Sequence, residues 1–250
     1  MYYQKVLSRR SRLSHETERF VYFKNTDLSE RFSENYLLYK SVPSLKQFQE
    51  DIAFLRREQA DYSSRYVHFH FPENQALPGE LAQFLRAEHF QVSEHLIFWA
   101  EVDRLKLSQK VPQKVEVKAM DASLYPLYKA VSSPYYLDYS KAYSQQMAGY
   151  NYAFVENEQA SLFLALTEQK IIGVMAAWYS GDIVEIDGFE VAESWRRQGV
   201  GSLLQKASLT KGVAKAILIA EEENRPLYEH QGFQQVAYYI DAIKIEPKES

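Results

Sequence analysis

The chain has 250 residues, 46% of them hydrophobic and 14% aromatic, which is enough to bury a core of enzyme size. Its formal net charge of -4 provides no basic field for a polyanion, so nucleic acid is not expected as a partner. Because the chain has no cysteine, disulfides, thiolate metal sites and a cysteine nucleophile are excluded. No apolar run approaches the roughly 20 residues that span a bilayer, and the N-terminus lacks the apolar core of a secretory signal. We therefore expect a cytoplasmic protein that binds no membrane.

A polar stretch divides the chain near its middle. The segment SQKVPQKV at residues 108–115 contains Pro112 and separates two apolar, strand-like segments. We predict one domain over residues 1–110 and a second over residues 111–250.

The end of the first domain repeats the pattern at the end of the second. Three successive segments of the first domain predict a strand, a helix and a strand: 65–71, 78–90 and 92–102. Aligning FLRAEHF with LYEHQGF places Leu85 against Tyr228 and His89 against Gly232. A degenerate internal duplication and a chance similarity between two amphipathic α/β units both explain the match.

The second domain predicts alternating strands and helices. In chain order these are a strand at 115–120, two short helices joined by a tyrosine-rich loop, three strands of an antiparallel meander within 161–191, a helix, a strand at 214–220, a short helix opened by Pro226, and one or two strands at 233–245. The helix that follows the meander is predicted from apolar residues on one of its faces: Val200, Leu203, Leu204 and Ala207. This order predicts an α/β fold with a mixed sheet.

The most informative stretch joins the last strand of the meander to the helix. Residues 196–201, Arg-Arg-Gln-Gly-Val-Gly, open that helix. A helix start leaves backbone N–H groups unpaired and concentrates positive potential, so it can bind a pyrophosphate. Gly199 and Gly201 would let the phosphate oxygens approach the backbone. A tight turn from strand to helix is the alternative explanation.

This R-x-x-G-x-G pattern resembles the coenzyme A signature of the GNAT superfamily of N-acetyltransferases. The stretch LYEHQGF at 227–233 is similar to the family's L-Y-x-x-x-G-F, and IIGVMAAW at 171–178 resembles its third strand. The resemblance covers about residues 113–247. It implies a mixed, mostly antiparallel sheet flanked by helices, with a second, smaller α/β domain at the N-terminus, and acetyl-CoA as co-substrate.

The resemblance also implies the cofactor-binding residues. They are Val191, whose backbone would pair with the pantetheine arm, and, around the pyrophosphate, Arg196, Arg197, Gln198, Gly199, Val200, Gly201 and Ser202. The family often has an asparagine seven residues before the tyrosine of its second motif. Here Glu221 occupies that position and Asn224 lies closer to the tyrosine.

Three residues are candidates for catalysis. Tyr228 matches the tyrosine that commonly lies near the acetyl sulfur and would act as general acid; a core tyrosine is the alternative. Direct attack of an amine on a thioester also needs a base. Glu185 has the spacing from Val191 of the base in histone acetyltransferase-type members, and Asp187 shares its strand face. These carboxylates could instead bind a cationic substrate or have no role. The first domain lacks a glycine-rich cradle and has Leu85 in place of the tyrosine, so it is not expected to be catalytic.

Two weaker patterns stand outside these motifs. His68 and His70 share one face of a strand, as in a two-histidine metal site, but no nearby pattern supplies further ligands and no metal is predicted. The tyrosines of SSPYYLDYS at 132–140 could line an acceptor pocket or belong to a core or an interface.

The expected acceptor is a primary amine of a small molecule or a peptide, and a homodimer is left open. The main alternative is a non-catalytic protein that binds coenzyme A, an acyl-CoA or a partner protein. An acyltransferase for longer acyl chains is a second alternative.

Overall fold

The computed structural model describes residues 2–168, 170–210 and 212–246. The chain divides into two compact units: an N-terminal unit made of Met1–Leu96 with Ala237–Ser250, and a C-terminal unit made of Ile97–Val236. The domain bounds 1–110 and 111–250 stay a prediction. Among the described residues, no helix has both the length and the apolar composition needed to cross a bilayer.

The described residues form eleven strands and seven α-helices. The strands are β1 (Leu13–Glu16), β2 (Phe20–Phe23), β3 (Tyr36–Tyr39), β4 (Tyr66–His70), β5 (Gln91–Glu101), β6 (Glu116–Ala119), β7 (Ala160–Thr167), β8 (Lys170–Ser180), β9 (Ile183–Val191), β10 (Lys215–Ala220) and β11 (Gln234–Ile245). The helices are α1 (Tyr3–Leu7), α2 (Leu45–Glu58), α3 (Gly79–Ala87), α4 (Tyr125–Tyr139), α5 (Lys141–Glu156), α6 (Val200–Ser208) and α7 (Arg225–His230).

The N-terminal unit packs α2 and α3 against a mixed sheet. β1, β2 and β3 are antiparallel neighbours, β4 runs parallel to β3, and β11 pairs antiparallel with β4. Phe48 of α2, Phe69 of β4 and Leu85 of α3 are fully buried in one apolar cluster. The strand, helix and strand predicted over residues 65–102 are confirmed as β4, α3 and β5.

The ends of α3 and α7 have the same backbone hydrogen bonds at the positions that the sequence aligns. The matching bonds run from Phe90 N–H to the Leu85 carbonyl (2.9 Å) and from Phe233 N–H to the Tyr228 carbonyl (3.0 Å). The residues before the two phenylalanines, His89 and Gly232, both have positive φ, +59° and +94°. Helices commonly end in this way, so the turn alone fits both explanations of the sequence similarity.

The C-terminal unit is built on the predicted meander. β6, β7, β8 and β9 are successive antiparallel neighbours, and β10 pairs parallel with β9. α6 packs on β7, β8 and β9. Tyr128 of α4 and Phe154 of α5 belong to an apolar cluster with Leu162, Leu164 and Ala176 of the sheet. The expected mixed, mostly antiparallel sheet with flanking helices is confirmed.

The predicted tyrosine-rich loop between two short helices is wrong. α4 instead continues through Pro134 to Tyr139, and α5 follows. A proline inside a helix removes one backbone hydrogen bond, which is why the sequence favours a break there. Side-chain hydrogen bonds accompany the continued helix: the Tyr136 hydroxyl lies 3.2 Å from both the Tyr128 hydroxyl and Asn151 Nδ2 of α5.

β9 separates from β10 halfway along its length. Their parallel ladder begins at Ile183 of β9 and ends where Leu218 lies beside Ile186. β9 continues from there to Val191. An opening therefore lies between the two strands, beside the second half of β9.

A bulge in β9 adds to this divergence. Ala176 of β8 pairs with Asp187 of β9, and Val174 of β8 pairs with Glu190 of β9. The step between the two pairs is two residues along β8 but three residues along β9. β9 thus holds one residue more than β8, and Gly188 in the bulge has a φ of +54°. The bulge leaves Asp187 and Glu190 on the same face, since Ala176 and Val174 share a face of β8.

The buried carboxylate of Asp51 leads to a prediction for the N-terminal unit. It accepts two hydrogen bonds from the Arg19 guanidinium, at 2.7 and 2.9 Å, and one from the Tyr39 hydroxyl at 2.9 Å. Asp51→Ala would leave that buried hydroxyl without its acceptor, so we expect the free energy of unfolding to fall by about 2 kcal/mol. Urea denaturation measures this loss. Gln49→Ala, on the exposed side of α2, should change it by less than about 0.5 kcal/mol, and an equal loss in both variants would contradict the argument.

Candidate functional site

A cavity of about 930 Å³ lies beside the end of β9, between the start of α6 and α7. Its wall contains six of the residues predicted to bind the cofactor: Val191, Arg196, Arg197, Gly199, Gly201 and Ser202. The other two lie outside this wall. Gln198 donates from Nε2 to the Ser194 carbonyl at 2.8 Å, and the Val200 side chain is buried beneath the start of α6.

The cavity wall is rich in positive charge. Besides Arg196 and Arg197, it contains Lys106 and Lys110, which the sequence analysis did not identify. Lys110 stands in the polar stretch at 108–115 and Lys106 just before it, and their charge was the only signal in the sequence. The wall also contains two carboxylates, Glu190 and Glu223, so four cations against two anions leave it with a net positive charge, which favours an anionic ligand.

The lysines reach the cavity because residues 105–110, here named the connecting segment, are bound to α6 and α7. Ser108 N–H donates to the Ser202 hydroxyl at 3.0 Å, and Lys206 Nζ donates to the Ser108 carbonyl at 2.7 Å. Lys106 N–H donates to the Gln231 carbonyl at 2.8 Å. The connecting segment is therefore a fixed part of the cavity wall.

The packing of the protein itself requires one glycine of the motif and crowds the other. Gly199 begins α6 with a φ of +95°, and a β carbon on it would lie 2.4 Å from the Lys110 carbonyl oxygen. A β carbon on Gly201 would lie 2.9 Å from Cζ of Phe189. Close approach of a ligand, the reason expected from the sequence, is thus not needed to explain Gly199, whereas the Phe189 ring could move to make room at Gly201.

A second cavity, of about 240 Å³, brings the three predicted catalytic residues together. Glu185, Asp187 and Tyr228 all line it, and Tyr228 also lines the larger cavity. Glu221 and Asn224 are the two positions where the chain departs from the family pattern. Asn224 lies in the walls of both cavities, and Glu221 lies in the wall of the smaller one.

The environment of Tyr228 keeps its hydroxyl protonated. Its ring packs against Phe98 and Phe233, with centroids 5.7 and 5.8 Å away. Burial raises the pKa of Tyr228 above its ordinary value, so at neutral pH the hydroxyl can donate a proton. Glu185 is also buried, with 8% of its surface exposed, and Asp187 accepts a hydrogen bond from Gly188 N–H at 2.8 Å.

The acidic residues of β9 share one face of the sheet. Glu185, Asp187 and Glu190 pair with alternate residues of β8: Trp178, Ala176 and Val174. Those three residues pack in the cluster with α4 and α5, so the carboxylates lie on the α4 and α5 side.

The tyrosines at the end of α4 are divided between surface and interior. Tyr135 and Tyr139 are 59% and 63% exposed, and their hydroxyls lie 2.8 Å apart. This hydrogen bond raises the pKa of Tyr135 to about 12, and burial and then the charges of Tyr139, Tyr143 and Glu190 add to the shift. Tyr136 instead contacts α5, as described above.

The comparison with known proteins follows the two units. Residues 124–233 match the acetyltransferase (GNAT) family, and residues 3–96 match a domain of unknown function, DUF5613. No protein of curated function matches the sequence significantly.

Solved structures resemble nearly the whole chain. A conserved protein of unknown function from Staphylococcus epidermidis is 20% identical, with 97% of each chain covered and a TM-score of 0.85. A GCN5-related N-acetyltransferase from Kribbella flavida is 16% identical, covering 98% of this chain and 93% of its own, with a TM-score of 0.67. A tandem GNAT protein from the clavulanic acid biosynthesis pathway is 12% identical, with 92% of this chain and 80% of that protein covered and a TM-score of 0.52.

Residues 124–233 thus form a domain of the GNAT acetyltransferase family, a family whose activity is acyl transfer. The resemblance drawn from the sequence motifs is confirmed. At these identities the structural similarity shows the fold alone. A tandem GNAT protein resembles 92% of the chain, which fits a GNAT-like N-terminal half, and that assignment stays a prediction.

The crowding at Gly199 predicts a stability effect that needs no ligand. Gly199→Ala would place a β carbon against the Lys110 carbonyl and force a left-handed residue, so we expect a loss of about 1–3 kcal/mol in the free energy of unfolding. The matched control is Gly149→Ala, in an open position within α5, which should stabilise the protein by roughly 0.5–1 kcal/mol. Denaturant unfolding of both variants distinguishes the two effects. If Gly199→Ala were neutral, the connecting segment could not be packed as described.

Proposed function

We propose that the C-terminal unit transfers an acetyl group from acetyl-CoA to a primary amine by direct attack. One observation carries the proposal: Tyr228 lines both the large cationic cavity and the small cavity that contains Glu185. A polyanionic cofactor in the first cavity could therefore present its thioester to the carboxylate in the second.

The large cavity has the features that a coenzyme A derivative needs. The start of α6 offers unpaired backbone N–H groups to a pyrophosphate, and Lys106, Lys110 and Arg197 offer charge around it. Beside the cavity, the second half of β9 extends past its ladder with β10, so its backbone could pair with an extended pantetheine arm. Arg196 Nε donates to the Val191 carbonyl at 3.1 Å and holds this end of β9.

In this proposal acetyl-CoA supplies the acetyl thioester, and the protein moves two protons. Glu185, directly or through a water, takes the proton that the amine must lose as its nitrogen bonds to the acetyl carbon. Tyr228 gives its hydroxyl proton to the sulfur as the carbon–sulfur bond breaks. The proton on Glu185 then leaves to solvent and Tyr228 is reprotonated, which restores both groups.

The acceptor would approach from the α4 and α5 side, where the acidic face of β9 lies. Glu185, Asp187 and Glu190 on this face favour an amine that carries positive charge. Exposed aromatic side chains at Tyr135 and Tyr139 could pack against it. We propose a cationic small molecule or a lysine-bearing peptide as the class of acceptor.

Cofactor binding can be tested at Arg197, which has a φ of +61°. Arg197→Asn removes the charge but keeps a residue that tolerates this backbone. We expect Kd for acetyl-CoA, measured by calorimetry at low salt, to rise about two- to fivefold. Lys114→Asn is the matched control, because Lys114 has a φ of +60° and lies outside the cavity wall. Equal Kd values for the two variants would contradict a phosphate-binding role for Arg197.

Catalysis can be tested by thiol release with a panel of amines. Glu185→Gln should lower kcat by about 10²-fold or more while acetyl-CoA binding is kept, because the base is lost. Tyr228→Phe keeps the ring contacts but removes the proton donor, so a similar fall is expected. Since burial raises the pKa of Tyr228, its acid form should persist at mildly alkaline pH, and wild-type activity should not decline there through this group.

The control for the base is Asp187→Asn, which changes the other carboxylate of the same cavity. It should lower kcat by much less than Glu185→Gln does. A larger effect at Asp187 would move the role of base to that residue. Tight acetyl-CoA binding without acetylation of any amine would instead identify a non-catalytic binding protein.

A further inference from the structure

A cluster of histidines and one aspartate lies in the N-terminal unit, outside the GNAT domain. β4 and β11 are antiparallel, and His70 lies directly opposite Asp241. His68, two residues before His70, points to the same face. The three side chains each offer a ligand atom, and these atoms lie within 4.8 Å of one another. His95 of β5 also reaches the cluster, with Nε2 3.3 Å from Asp241 Oδ1.

The hydrogen bonding of His68 leaves a place for a cation beside Asp241. Its Nδ1 lies 3.1 Å from the Phe32 carbonyl oxygen, which can only accept, so Nδ1 carries a hydrogen. In the neutral ring Nε2 then holds a lone pair, yet it faces Asp241 Oδ2 at 2.9 Å. Two acceptors at this distance require a proton or a metal ion between them. A histidine whose Nδ1 is fixed by a backbone carbonyl is a common metal ligand through Nε2.

The carboxylate provides a second, independent observation. Asp241 Oδ1 is buried and accepts no hydrogen bond of good geometry from the described residues, although His95 Nε2 is near. A buried, unsatisfied carboxylate oxygen is costly and needs a partner. A metal ion would bind it together with the imidazole nitrogens.

We propose that His68, His70 and Asp241 bind a divalent transition-metal ion, with His95 as a fourth ligand. Three imidazoles and one carboxylate form a ligand set that suits Zn²⁺. Ligand atoms around a tetrahedral zinc lie about 3.3 Å apart, so modest side-chain rotations would bring the cluster together. The surrounding rings restrict larger movements, because Tyr36 stacks on His70 with centroids 4.2 Å apart and Tyr239 stacks on His95 at 4.9 Å.

Such an ion would link three strands of the N-terminal unit. His68 and His70 come from β4, Asp241 from β11 and His95 from β5. The bound ion would therefore stabilise this unit against unfolding, by an amount that grows with the concentration of free metal.

The test uses the full chain, expressed without a histidine tag and treated with a chelator. We expect calorimetry to show one equivalent of Zn²⁺ bound per chain, Co²⁺ to give visible ligand-field absorption, and Zn²⁺ to raise Tm. Asp241→Asn, which keeps the shape of the side chain, and His70→Gln should each weaken Zn²⁺ binding by about 100-fold or more. His89→Asn is the matched control, because His89 is exposed, lies outside the cluster and has a φ that asparagine tolerates. This variant should bind Zn²⁺ as tightly as the wild type does.

The wild-type measurement alone can overturn the proposal, so a variant that fails to fold does not leave it open. Folded wild-type protein that binds neither Zn²⁺ nor Co²⁺ would show that a proton on His68 occupies the place beside Asp241. Zn²⁺ binding as tight in folded Asp241→Asn and His70→Gln variants as in the wild type would show that the metal is held elsewhere, and would equally overturn the site.

Discussion

Backbone pairing between β9 and β10 ends at Ile186 and Leu218, and the organisation of the C-terminal unit depends on this ending. Beyond it, one edge of β9 has no ladder with β10, and unpaired backbone groups inside a protein need other partners. The bulge at Gly188 bends the same stretch of β9. The two cavities border this stretch, and Tyr228 of α7 lies in the walls of both.

The connecting segment fixes the geometry of the larger cavity. Its hydrogen bonds to α6 and α7 hold Lys106 and Lys110 beside the start of α6. The same packing requires Gly199 to lack a side chain. A glycine that matches a ligand-binding motif can therefore also be required by packing. Ligand binding is tested only by a substitution that leaves the packing intact, such as Arg197→Asn.

The N-terminal unit depends on a strand that is distant in sequence. β11 pairs with β4, so residues from the end of the chain complete the sheet of its beginning. This pairing brings Asp241 beside His68 and His70, and the rings of Tyr36 and Tyr239 surround the resulting polar cluster. The metal proposed for this cluster and the acetyl transfer proposed for the C-terminal unit rest on different residues.

The sequence by itself determined what short-range patterns encode: the meander, the helix with its apolar stripe, the glycine motif at its start and the LYEHQGF turn. These follow from local periodicity and backbone preferences, and they were enough to identify the GNAT resemblance. The helix through Pro134 was missed because proline locally disfavours a helix interior, and the contacts of Tyr136 with Tyr128 and Asn151 around it are not visible in the sequence. Only the tertiary structure brought Lys110 to Gly199, or Asp241 to His68 across 173 positions, since strand pairing and loop packing over such separations leave no local pattern in the sequence.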